Sequence, residues 1–342
     1  MSNKENKIQK QQQRGLPLAS AAGGLIGALV GAAGGWIAYS KLFINHSLPL
    51  PDAIPAKRVS FNSAKAGQLN YYLEQQADGH PLVLIHSVNA AASAFEMRPL
   101  FEHYRDQRPV YALDLPGYGF SARAQREYRP QTFSAAILDL LESQVGQPAD
   151  VIALSLGCEF AARAALEKPE LFHSLTLISP SGFNARNTGR ASQKTEASGS
   201  SEMVYSIFSY PLWSRPFFDI IATRRSIEFF LQQSFVGPIA KGMVDYAYAT
   251  SHQPGAENVP LYFLSGRLFT PNILIDVYQQ LALPVLVIYD RDAFVRFDRL
   301  PEVLATRTNW RAKRISPTLG LPQFEMLPET AQALDDFWAG LE

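Results

Sequence analysis

The 342 residues carry 31 Lys+Arg against 31 Asp+Glu, with 47% hydrophobic and only 18% charged residues. Such a length supports one large α/β domain or two ordinary ones with a substantial core. A zero charge balance argues against nucleic-acid binding, and one cysteine, Cys158, excludes an intrachain disulfide and a thiolate metal cage. The six histidines show no metal-ligand spacing, so neither a metal nor a cofactor is implied.

Residues 1–14 form a polar tail with Lys4, Lys7, Lys10 and Arg14 against Glu5. From Gly15 to Ser40 the chain has no Asp, Glu, Lys or Arg. At roughly 1.5 Å per residue, about 20 residues cross a bilayer core. Trp36 and Tyr39 suit an interfacial aromatic belt, and Lys41 follows. The reading is a transmembrane helix over residues 15–43, a single-pass anchor, with a cleaved signal peptide as the alternative. Four basic residues precede the span and three (Lys41, Lys57, Arg58) follow closely, which leans toward a cytoplasmic N-terminus. Gly23, Gly27, Gly31 and Gly35 fall on one helical stripe. Small residues at that spacing let two spans approach closely and would support self-association; the bland reading is a Gly/Ala-rich span with no partner. Residues 44–57 contain the proline-rich SLPLPDAIPA, expected to be a stiff spacer holding the main domain off the membrane.

Beyond residue 58, short apolar runs alternate with amphipathic stretches. Leu82–His86, Pro109–Leu113, Val151–Leu154, Leu175–Ser179 and Pro284–Asp290 read as strands buried on both faces of a parallel sheet. Helices are expected over 92–104, 131–145, 158–167 and 328–341. This alternation implies a doubly wound, mostly parallel α/β sheet. Its regularity breaks between the strands ending at Ser179 and starting at Pro284. Residues 186–201 are small and polar and read as loop or disorder, while 203–235 are rich in Phe, Tyr and Trp. The insertion, residues 181–283, is expected to be a helical cap over the strands' carboxyl ends, with 58–180 and 284–342 as the core. Its aromatics either pack within the cap, or line an apolar pocket or a surface that meets lipid.

Three motifs stand out. Ala153-Leu154-Ser155-Leu156-Gly157 sits between a predicted strand and a predicted helix, as a nucleophile elbow does. Asp114-Leu115-Pro116-Gly117-Tyr118-Gly119-Phe120-Ser121 is a DxPGxGxS loop, and His86-Ser87 follows the strand LVLI. With these residues the chain strongly resembles the α/β-hydrolase superfamily over about residues 58–341. The resemblance implies Ser155 as nucleophile, the backbone N–H groups of Val88 and Leu156 as oxyanion donors, and Asp292 as acid, with His86 and Asp114 supporting the site. Asp292 also reads as an ordinary turn or helix-cap aspartate. Ala153, Ser87 and Asp290 replace glycines usual in the family, and Ser87 restricts positive φ in its loop.

The family's histidine is missing. Where a G-H-x-P-H-x-E turn is usual, the chain reads Leu319-Gly320-Leu321-Pro322-Gln323-Phe324-Glu325, and no histidine follows His252. A serine hydroxyl needs a positioned base to become a competent nucleophile. His252, in the cap, is a remote substitute; His86 reads as orienting its loop, and Glu325 as tying down the last loop. Two functional classes result. One is a membrane-anchored serine-esterase- or lipase-like hydrolase of a small apolar acyl substrate, with an incomplete triad. The other is a pseudo-hydrolase that binds or scaffolds at the membrane. Membrane lipid, through the N-terminal helix, is the expected macromolecular environment of both.

Overall fold

The protein is described by a computed structural model, which covers residues 31–184 and 194–341. Eight strands form one sheet in the order β1-β2-β4-β3-β5-β6-β7-β8. They are β1 Lys57–Ser63, β2 Gly67–Glu74, β3 Leu82–Ile85, β4 Val110–Asp114, β5 Ala149–Leu154, β6 Phe172–Ile178, β7 Val285–Tyr289 and β8 Trp310–Arg314. β2 is antiparallel to both β1 and β4, and the pairings from β4 to β8 are parallel. The five expected apolar runs are the five central parallel strands. Every residue of β3, β4 and β5 is buried, as strands covered on both faces require. The edges escape such a reading. β1 (KRVSFNS) alternates without a continuous apolar run, and β8 (WRAKR) carries three cations on an edge that charge protects from further pairing.

Alternate strand residues face opposite sides and split the core in two. Val83, Ile85, Val151 and Ala153 pack against α3 (Pro130–Leu140) and α4 (Gly157–Glu167), through Phe133, Ile137 and Phe160. Leu82, Leu84, Ile152 and Leu154 pack against α2 (Arg98–Tyr104) and α13 (Leu327–Ala339), through Leu100, Phe101, Leu334 and Phe337. The four expected core helices are thus present, and the sheet is covered on both faces. Between β7 and β8 lies α11 (Leu300–Thr306), and between β8 and α13 lies α12 (Pro322–Glu325).

Between β6 and β7 lie α5 Lys194–Phe208, α6 Ser214–Ile221, α7 Arg224–Gln232, α8 Met243–Ser251, α9 Asn258–Leu264 and α10 Ile273–Asp276, here called the cap. Residues 194–201, expected as loop or disorder, are helical in α5, whose later turns pack through Tyr205 on the core and through Phe208 on Phe217.

Helix α1, residues 31–43, precedes the sheet. Most of the expected span, residues 15–30, lies outside the described residues with Gly23 and Gly27. No helix among the described residues is long and apolar enough to cross a membrane. Gly31 and Gly35 are exposed, with nothing within 4 Å of an added Cβ. The end of the expected span belongs to the protein body instead. Trp36 donates Nε1–H to the Pro216 carbonyl (2.7 Å), and buried Ser40 donates to Asp219 Oδ2 (2.6 Å). A span would therefore be confined to residues 15–35, still about a bilayer's thickness. The proline-rich stretch after α1 has no regular structure, and it lies along the body rather than apart from it. Leu48 bonds His252 and Gln253, Ala53 and Ile54 are fully buried, and the Ala53 N–H reaches the Tyr72 hydroxyl (3.0 Å).

Candidate active site

β5 ends at Leu154 and α4 starts at Gly157, so two residues must reverse the chain. Ser155 takes φ +53°, the left-handed region that a non-glycine residue enters at a cost of about 1–3 kcal/mol. Its N–H still bonds the Ile178 carbonyl (2.9 Å), which anchors the strained turn to β6. A Cβ at Gly157 would lie 2.4 Å from the His86 carbonyl, so that glycine is required where the elbow abuts the loop after β3. Ala153 sits in regular strand pairing with Ile85 and Leu177, which explains why alanine is accepted there. Cys158 is buried with its thiol on the Ala153 carbonyl, and burial pushes its pKa well up, so it is no thiolate.

The two expected oxyanion donors lie on these adjoining loops: Leu156 precedes the first turn of α4, whose N–H groups have no intrahelical acceptor, and Val88 follows His86-Ser87. His86 is fully buried, and burial lowers its pKa to about 4. Its Nδ1 lies 2.6 Å from the Ser87 carbonyl and its Nε2 accepts the Leu115 N–H (3.0 Å). That pair fixes a neutral tautomer with both nitrogens engaged, so His86 joins the β3 and β4 loops and has no lone pair free for Ser155. Ser87 takes no positive φ; the loop is held instead by a side-chain network. Ser87 donates its N–H (2.8 Å) and hydroxyl (3.0 Å) to Glu96, and Asn89 donates to the Ser87 hydroxyl (3.0 Å). Burial raises the Glu96 pKa to about 7.

Asp114 is likewise buried, raised by that burial to about 6, and accepts from the Phe120 N–H (2.9 Å) and Asn70 (3.1 Å). It therefore shapes the DxPGxGxS loop from within. Glu96 and Asn70 escaped the sequence reading. An acid between Phe95 and Met97 on an otherwise apolar turn is the sole local sign of the former.

At the same carboxyl edge of the sheet, Asp292 follows β7 and Gly320 follows β8. Asp292 Oδ1 accepts the N–H groups of Phe294 (2.7 Å) and Val295 (3.2 Å), and burial raises its pKa. Gly320 has φ +110°, and a Cβ there would meet Asp292 Oδ2 at 2.8 Å. Gly320, expected at the position of the family's histidine, therefore faces the expected acid directly, but brings no side chain. Asp290, the other carboxylate of this strand end, is a structural residue. Although burial raises its pKa, the Thr318 N–H and the Arg314 guanidinium (2.7 Å) hold it below the usual range. Glu325 ties the last loop down, accepting from the Leu319 N–H (3.0 Å), and also grips the cap through the Val236 N–H (2.6 Å).

All six histidines fall among the described residues, and none supplies an imidazole to Ser155. His252 lies in the cap beside Tyr248, its Nδ1 2.8 Å from that residue's carbonyl, and stacks near His46. His173 and His80 stack together at the opposite, amino edge of the sheet, where His173 bonds Asp150 (2.8 Å). His103 packs on Tyr104 in α2. A cavity of about 460 Å³ between the 123–126 loop and α5, α6 and α9 is lined by Arg123, Arg126, Arg215 and Glu257, away from Ser155. Its guanidiniums are already engaged, Arg215 with Glu257 (3.1 Å) and Arg126 with the Lys65 carbonyl (3.0 Å).

The model of the alpha/beta hydrolase family matches residues 82–327. An uncharacterized hydrolase, YugF, of Bacillus subtilis is 33% identical over 119 residues, 34% of this chain and 43% of that protein. The pimeloyl-[acyl-carrier protein] methyl ester esterase of Nitrosospira multiformis is 30% identical over 118 residues, 33% of this chain and 43% of that protein. The match thus spans less than half the length of these curated relatives. Among solved structures, a bacterial membrane phospholipase A superposes with a TM-score of 0.65 at 20% identity, covering 97% of this chain and 99% of that one. At that identity the likeness speaks for the fold alone. With an eight-stranded sheet, a strained serine between β5 and α4, and a family match over most of its length, the chain belongs to the alpha/beta hydrolase family.

Proposed function

We propose that the protein is a membrane-anchored pseudo-hydrolase, which binds a small apolar acyl or ester compound above Ser155 and does not turn it over at an esterase's rate. The observation that supports this is Gly320 lying against Asp292, with both nitrogens of His86 engaged elsewhere. Loss of a triad histidine lowers turnover by roughly a factor of a million. The name of the ester esterase supports an acyl ligand. The uncharged segment 15–35 supports the anchor, with Gly23, Gly27, Gly31 and Gly35 as its self-association stripe.

A second reading, a serine esterase or lipase-like enzyme with an unconventional base, is favoured by the strain kept at Ser155. Backbone strain at one residue persists where surroundings enforce it, and it clusters at active sites. In that reading Ser155 is the nucleophile, Val88 and Leu156 supply the oxyanion donors, Asp292 is the acid, and His86 and Asp114 hold the loops.

Turnover of p-nitrophenyl esters and fluorophosphonate labelling, measured for the wild type beside Ser155→Ala, separate the two. The pseudo-hydrolase reading expects neither turnover nor labelling; serine-dependent signal in either assay overturns it. For the anchor, carbonate extraction compares the full chain with one beginning at Gly35, which keeps the α1–cap contacts. Release of the full chain overturns the anchor.

A further inference from the structure

The contacts of α1 fix which end of the cap faces the segment that precedes it. Trp36 bonds the Pro216 carbonyl, and Ser40, one turn later, bonds Asp219, three residues further along α6. The partners rise in the same order, so α1 and α6 lie side by side and run in the same direction. Their N-terminal ends therefore sit at one end of the cap. At that end the uncharged segment 15–30 leads into α1, and the 207–213 corner leads into α6.

The corner is unusually apolar for an exposed surface. Met203 (61%), Ile207 (51%), Tyr210 (52%), Leu212 (49%) and Trp213 (37%) are all exposed. It is also braced: Trp213 donates to the Ile207 carbonyl (2.7 Å), and the Tyr210 and Trp213 rings lie 4.5 Å apart. Exposed apolar side chains gathered on one rigid corner mark an interaction surface rather than packing. Tyr and Trp have the amphipathic rings favoured at the boundary between headgroups and acyl chains. We propose that the 207–213 corner of the cap rests in the interfacial layer of the lipid bilayer into which residues 15–35 lead, so that the cap is oriented on the membrane rather than hung from it. The proposal rests on the anchor reading above.

Cys158, the single native thiol, is fully buried, so an introduced cysteine can be labelled alone. The full chain, carrying an environment-sensitive fluorophore at Gly31→Cys, Leu212→Cys or Leu166→Cys, is reconstituted into phosphatidylcholine–phosphatidylglycerol vesicles with and without doxyl-labelled lipid. Leu166 is exposed on α4, outside the cap. The expected result is emission at least halved by the doxyl lipid at positions 31 and 212, and unchanged at 166. Quenching at 31 without quenching at 212 overturns the docking and leaves the anchor standing. No quenching at 31 overturns the anchor and the docking together. Quenching at all three positions means unoriented adsorption, and a blue shift at 212 without quenching means that a second copy covers the corner; either result overturns the proposal.

Discussion

At the residue scale two backbone positions define the candidate site: Gly320, which faces Asp292 without a side chain, and Ser155, whose backbone is strained. Gly320→His places a Cβ 2.8 Å from Asp292 Oδ2 at φ +110°, so the carboxylate must shift and the backbone is strained by about 1–3 kcal/mol. The expected outcome is a lower melting temperature together with a rise in ester turnover above the wild type; unchanged turnover in a folded variant would mean that the acid and the elbow are not aligned for catalysis. Ser155→Gly removes the strain at φ +53°. It should stabilise the fold by about 1 kcal/mol, read from urea unfolding, whereas Ser155→Ala should not. These two predictions concern residues whose types the motifs disclosed. The neutral, doubly engaged state of His86 was not legible, because Leu115, which holds its Nε2, lies 29 positions away in the loop after β4 and is brought beside it by the pairing of β3 with β4.

At the element scale the joint between α1 and α6 carries the most consequence. Asp219 is fully buried and holds Ser40 (2.6 Å), His46 (3.0 Å) and Arg215 (2.9 Å). Losing this carboxylate strips Ser40 and His46 of their buried acceptor and Arg215 of one of its two carboxylate partners, the other being Glu257, at a cost of about 3 kcal/mol. Asp219→Ala is therefore expected to destabilise the protein by about that amount, and to raise amide exchange in residues 36–46 above the rate in the sheet. Equal exchange in wild type and variant would show that α1 is held by something else. The sequence suggested a helix across this region from its lack of charge, but Ser40 and Asp219 are 179 positions apart, and no local pattern couples them.

Across the whole molecule, the pH dependence of stability should be unusual for its two buried acids. Glu96 and Asp114 have pKa values raised by burial to about 7 and about 6. A carboxyl raised in the folded state binds its proton more tightly there than in the unfolded chain. Its contribution is therefore full below the unfolded value, about 4.5 for Glu96, and is lost as pH rises through about 7. Glu96→Gln should flatten the fall in unfolding free energy between pH 5 and 8 by up to about 3 kcal/mol, measured by urea titration at each pH. A wild-type profile that rises across that window would contradict this assignment.

The apolar runs, the elbow and the DxPGxGxS loop determined by themselves a parallel sheet of this family, because a strand buried on both faces and a strand-to-helix turn each leave a local mark. The absence of a histidine after His252 is likewise a fact of sequence alone. The tertiary structure alone decided that Gly320 faces Asp292, that Glu96 holds the loop after β3, and that Trp36 and Ser40 bind α1 to the cap. These contacts join residues from nine positions apart, as Ser87 and Glu96 are, to 179 apart, as Ser40 and Asp219 are, and strand order and helix packing set them rather than any immediate neighbour in sequence.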